Sequence, residues 1–176
     1  MTEIPDTLVL LRHRDQKGLG RHGPHVRRVV LGAIAAVSVL GLLNVFGQRP
    51  ATTVASAPAA TLAVNAPSTL RSGLLWSAQF RITARQDLKK ATLVLDEGWG
   101  NGIGINTIEP SPLGQASRDG RIAFDLGHIA KGSTFVLFMQ FQVNATTVAW
   151  RRSQNVELDD GNTKVLILHH HVTIYP

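Results

Sequence analysis

The chain has 176 residues, a formal net charge of +6 and no cysteine. The missing cysteine excludes disulfides, thiolate metal sites and thiol catalysis together. The charge is unevenly placed: residues 1–28 carry six Lys/Arg against three Asp/Glu, whereas residues 62–176 carry eleven against nine. A folded nucleic-acid reader concentrates basic residues on its domain, so that class is set aside.

Residues 1–28 read as a basic cytoplasmic tail. Gly18, Gly20, Gly23 and Pro24 break any helix there. Residues 29–46, VVLGAIAAVSVLGLLNVF, hold no charge. Eighteen residues at ~1.5 Å each make a helix of ~27 Å, near the ~30 Å hydrocarbon thickness of a bilayer. Basic residues crowd its N-terminal side, which predicts a single-pass protein in the cell membrane with its N-terminus inside and its C-terminal domain outside. An uncleaved signal anchor is the leading reading. A cleaved signal peptide and a twin-arginine signal built on Arg27-Arg28 are the alternatives. Gly32 and Ala36 sit one helical turn apart and offer a face for packing against another membrane helix.

Residues 47–60, GQRPATTVASAPAA, are small, almost uncharged and interrupted by Pro50 and Pro58. They read as a flexible Ala/Thr/Pro linker. Residues 61–176 then carry period-2 patterning. In Thr134–Val143, Phe135, Leu137, Met139, Phe141 and Val143 share one face; in Leu74–Ala84, Trp76, Ala78, Phe80, Ile82 and Ala84 do so. Burial of each large apolar side chain contributes ~1.5–3 kcal/mol before entropy is subtracted. Shorter strands are predicted at 62–65, 91–95, 103–108, 121–126, 156–158 and 164–175. Asp119-Gly120 and Asp160-Gly161 supply tight hairpin turns. Seven to nine short strands without a helical period predict an all-β ectodomain, an immunoglobulin-like antiparallel β-sandwich, with a closed barrel as the alternative.

Few residues suggest chemistry. His169 and His171 share one face of a strand and His170 takes the other. Two imidazoles need further ligands to hold a metal, and none is implied nearby, so no metal or cofactor is expected. Asp159-Asp160-Gly161-Asn162 lacks the alternating oxygen ligands of a calcium loop and reads as a turn. Trp99 stands in the glycine-rich stretch 98–104, where an aromatic either tucks over the core edge or is displayed. Trp150 precedes Arg151 and Arg152. Aromatic and arginine side chains are common binding anchors, so Trp99, Trp150, Arg151 and Arg152 are the candidate partner-binding residues. No catalytic constellation emerges, and the chain is not expected to be an enzyme.

Leu75-Trp76-Ser77-Ala78-Gln79-Phe80, Leu93-Val94-Leu95-Asp96, Ile122-Ala123-Phe124-Asp125-Leu126-Gly127 and Gly132-Ser133-Thr134 follow one another in an order that resembles bacterial surface domains of conserved-repeat, immunoglobulin-like type. The whole chain also resembles a set of uncharacterised actinobacterial single-span membrane proteins. That likeness rests on Leu43 to Pro50, Asn106 to Pro112, Ser117 to Gly120 and Leu137 to Asn144. Neither resemblance implies an activity. The expected function is a membrane-anchored extracytoplasmic interaction module, accessory to another membrane protein and in contact with the lipid bilayer. A cell-wall or carbohydrate-binding surface domain is the alternative.

Overall fold

The computed structural model describes residues 23–43 and 48–176, the side chain of Arg118 excepted. The chain divides into two compact units, residues 1–45 and 46–176. The expected basic tail, up to residue 22, and Asn44–Phe46 of the expected span lie outside the described residues.

In the first unit, α1 runs Gly23–Leu42. Pro24 is tolerated because first-turn amides have no partner within a helix. The helix thus begins at Gly23 and Pro24, where the sequence predicted a break, and takes in His25, Arg27 and Arg28; from Val29 it is Ala, Leu, Val and Ile with isolated glycines, and the hydroxyl of Ser38 donates to the Ile34 carbonyl at 2.9 Å. Residues 24–42 form one helix long and apolar enough to cross a membrane, with a mean hydropathy of 1.6 and no part buried.

The second unit is all-β. Its strands are β1 (Pro50–Ser56), β2 (Ala60–Pro67), β3 (Thr69–Arg71), β4 (Leu75–Ala84), β5 (Leu88–Leu95), β6 (Ile103–Glu109), β7 (Gly114–Arg118), β8 (Arg121–Ile129), β9 (Thr134–Val143), β10 (Ala149–Ser153), β11 (Val156–Asp160), β12 (Thr163–Leu168) and β13 (His171–Tyr175). They form a five-stranded sheet β1-β2-β4-β9-β6, a second five-stranded sheet β12-β11-β5-β8-β7, and a three-stranded sheet β10-β13-β3. Pairing is antiparallel except between β13 and β3, which run parallel.

The two long alternating strands pair as a unit, with Trp76 opposite Phe141, Ala78 opposite Met139 and Phe80 opposite Leu137. Their inward residues join those of β5, β8, β11 and β12 in one buried cluster: Phe80, Leu137 and Phe141 from one sheet, Leu93, Phe124 and Leu158 from the other. Phe135 is only partly buried, where the alternation predicted a core position. The Asp119-Gly120 turn forms as expected, with φ of +53° and +76°, and Gly161 turns the β11–β12 hairpin at φ +61°.

The linker expectation is overturned. Residues 50–56 are β1, paired with β2 over seven positions from Pro50↔Pro67 to Ser56↔Thr61. Proline is acceptable at the first residue of an edge strand. Five of the seven β1 residues are exposed and only Ala55 packs against the core, so the strand is held mainly by its backbone pairing with β2 and shows little apolar period. The predicted strand 164–175 is also two strands, interrupted at His169 and His170.

Candidate functional site

Three stretches noted in the sequence converge at one corner of the β unit: the glycine-rich loop, β10 and the histidine run. The organiser is Asp96. Its Oδ1 accepts from the Gly98 amide at 3.0 Å, capping a single 3-10 turn at Glu97–Trp99. Its Oδ2 accepts from the Ser153 hydroxyl at 2.9 Å and the Asn155 amide at 2.8 Å. One carboxylate therefore fastens the turn to the β10–β11 connection. An aspartate two residues before a glycine is the sequence mark of such a turn.

The turn drives Trp99 inward. It is fully buried, its indole N–H donates to the Asn155 carbonyl at 3.2 Å, and its ring lies 5.7 Å from Trp76, 5.3 Å from Phe80 and 5.4 Å from Phe141. The expectation that Trp99 binds a partner is corrected: it is the centre of an aromatic core cluster. A tryptophan with a satisfied N–H gains more from full burial than from display.

Trp150 is displayed, at 75% exposure, with Val148 beside it at 59%. The cause is a bulge in β10. Ala149 opposes Ile174 and Arg152 opposes Val172, so Trp150 and Arg151 together face Thr173. Arg151 sits at φ +45°, in the left-handed region, and its amide donates to the Thr173 hydroxyl at 3.4 Å. A bulge inserts one residue and re-aims its neighbours. Arg152 is turned back and its guanidinium donates to the Asn101 carbonyl. Trp150 and Arg151 are thus the projecting pair, and Arg152 is a strut.

His169 and His171 are exposed, and His169 Nδ1 lies 3.1 Å from Asn155 Oδ1. Among the described residues no group of three or more His, Asp or Glu converges as metal ligands. Gly32 and Ala36 lie exposed on α1.

Beside the corner is an open cleft of about 420 Å³ lined by Asp96, Glu97, Asn101, Asp119, Arg121 and Arg152. Arg121 also lines a neighbouring cleft of about 200 Å³ with Glu157, Lys164 and His169. Glu157 is almost buried between two cations, at 2.9 Å from Arg121 Nη1 and 3.0 Å from Lys164 Nζ. Burial alone raises its pKa, but the hydrogen bond from Lys164, the interaction with the Asp159 side chain and the charges of Lys164 and Arg121 outweigh it and hold the carboxyl below its ordinary value. Sequence reasoning missed this group and also Gln154 and His170. The pattern Leu166, Leu168, His170, Val172, Ile174 marked His170 as a core position, since all five are buried.

No family model matches the chain, and no curated protein does. A solved structure described as "AvmM Catalyzes Macrocyclization in Alchivemycin A Biosynthesis" aligns with a TM-score of 0.46 and 7% identity, over 74% of this chain and 90% of that one. The expectation that the chain is not an enzyme is withdrawn, since the aligned protein is described as a catalyst. A likeness of that strength assigns neither an activity nor a site to the chain.

Proposed function

We propose that the chain is a single-pass membrane protein whose β unit, an immunoglobulin-like sandwich outside the cytoplasm, binds a protein partner. Another membrane protein is the partner class that suits an anchored module. The anchor is supported by α1, which over residues 24–42 is long and apolar enough to cross a membrane and is unburied among the described residues. The sandwich reading is supported by the sheet orders β2-β4-β9-β6 and β12-β11-β5.

The observation that carries the binding function is the bulge that displays Trp150 and Arg151 from a strand whose outer edge is unpaired. A tryptophan and an arginine projecting from a fixed backbone lose little freedom on binding, which is the property of interface anchors. The test is in-membrane crosslinking with mass spectrometry on the full chain, on Trp150→Ala, and on a variant with α1 replaced by a generic apolar helix. One reproducible membrane-protein partner is expected, weakened at least tenfold by Trp150→Ala, about 1.4 kcal/mol or more. Crosslinks unchanged by both variants would overturn the reading.

A second reading, a wall or carbohydrate-binding domain, draws on one observation. A cleft of about 360 Å³ crosses the outer face of the β12-β11-β5-β8-β7 sheet, lined by Thr92, Gln115, Ser117 and Asn162 with Lys90 and Asp125. Binding to purified wall polymers, lost in Gln115→Ala, would favour it over the protein partner.

A further inference from the structure

His170 occupies a core position between β12 and β13 at 5% exposure, with its ring 6.3 Å from that of Trp99. It bonds to the Pro67 backbone, and its Nε2 is buried with no hydrogen-bond partner. Its own carbonyl accepts from the Gln154 amide at 2.8 Å, and the next residue, His171, pairs with Ser153 of β10. The side chain therefore underlies the strand pair that displays Trp150 and Arg151.

We propose that His170 is an acid-sensitive latch: its neutral ring closes β10 and β13 onto the core, and its protonation releases them with the Trp150–Arg151 pair. A protonated ring must place a second N–H and a full charge at the buried Nε2, which makes no hydrogen bond in the closed arrangement. A buried charge without a partner is among the costliest arrangements in a fold.

The surrounding charged groups do not relieve it. On the turn, Asp96 is committed to Gly98, Ser153 and Asn155, and Glu97 is exposed. On β10, Arg152 bonds Asn101 and Arg151 is exposed. On β3, Arg71 is exposed; in the histidine run, His169 meets Asn155 and His171 opposes a charge on its neighbour. The Trp99 ring lies just beyond the ~6 Å at which a cation gains from an aromatic face.

Burial thus depresses the native pKa below the ordinary 6.5, with the like charge of His171 adding to the effect against the Pro67 bond. The unfolded or opened segment binds the extra proton. Closure is complete above pH 6.5 and weakens as pH falls, by up to about tenfold per pH unit until the native value is reached.

The experiment is hydrogen exchange with mass spectrometry on the full chain in lipid nanodiscs at pH 7.5 and 5.5, corrected for intrinsic exchange. Peptides covering 149–153 and 171–175 are expected to lose protection up to about tenfold at the lower pH, while those covering 75–84 and 134–143 hold theirs. In His170→Phe the difference between the two pH values is expected to vanish. Should that variant fail to fold, an NMR titration of the wild-type His170 ring decides, with a native value below 6.5 expected. A ring titrating at 6.5 or above with β10 still protected, or protection lost equally everywhere or nowhere, would overturn the latch. The latch rests on the proposed partner binding only for its consequence. Exchange that responds as stated in a chain that crosslinks to no partner would keep the latch and sink the binding reading.

Discussion

At position 98 an added Cβ would stand 1.7 Å from the Ser153 carbonyl oxygen, and backbone cannot yield that far. Gly98 is therefore what lets the Asp96 turn touch β10. Gly98→Ala is expected to lower stability by at least ~2–3 kcal/mol, read from denaturant midpoints of the full chain in detergent. Trp99→Ala, which empties the middle of the aromatic cluster, is expected to cost ~3–5 kcal/mol. The cations flanking Glu157 should differ from one another. The Lys164 side chain is 53% exposed and that of Arg121 31%. Lys164→Ala should cost under ~1 kcal/mol and Arg121→Ala ~1–3 kcal/mol in the same assay, because solvent screens the first pair more. Equal losses would mean that position on the sheet face matters more than exposure.

Strands differ in how openly they announce themselves. Thr134–Val143 and Leu75–Ala84 were legible because one side chain in two enters the core and the period survives in the residues. Ala149–Ser153 hid because its bulge breaks the alternation, and Pro50–Ser56 because its side chains meet solvent. The corner was half legible. Trp150 and Arg151 stand out by type, but the Asp96 fastening joins residues nearly sixty positions apart, a relation no local pattern contains. The β1 strand also has a protective role: it covers the edge of β2, which would otherwise present a row of free amides and carbonyls. Deletion of residues 48–56 is expected to yield concentration-dependent oligomers by light scattering. A monomeric, folded deletion would show that β2 tolerates an open edge.

Across the whole molecule, two titrations divide the acid response. Neutral His170 supports the fold above pH 6.5, and its contribution fades below that value. Ionised Glu157, with its pKa lowered, supports the fold above pH 4.5, and its contribution fades as pH falls through the native value. Stability of the full chain against pH should fall in two steps. His170→Phe should abolish the upper step and Glu157→Gln the lower. A single step removed by neither variant would place the acid response in other groups.

The parallel pairing of β13 with β3 joins Thr173 to Thr69, Ile174 to Leu70 and Tyr175 to Arg71, and the Tyr175 carbonyl accepts from the Ser72 amide and hydroxyl. Partners about a hundred residues apart meet late, since closing so long a loop costs entropy before any contact compensates. During synthesis, β3 waits for almost the entire sheet system to be made before its neighbour exists. A chain stopped before residue 171 leaves both β3 and β10 with an open side. The β13 strand thus closes two sides at once: without it, β3 and β10 each offer proteases a backbone row that β13 otherwise pairs.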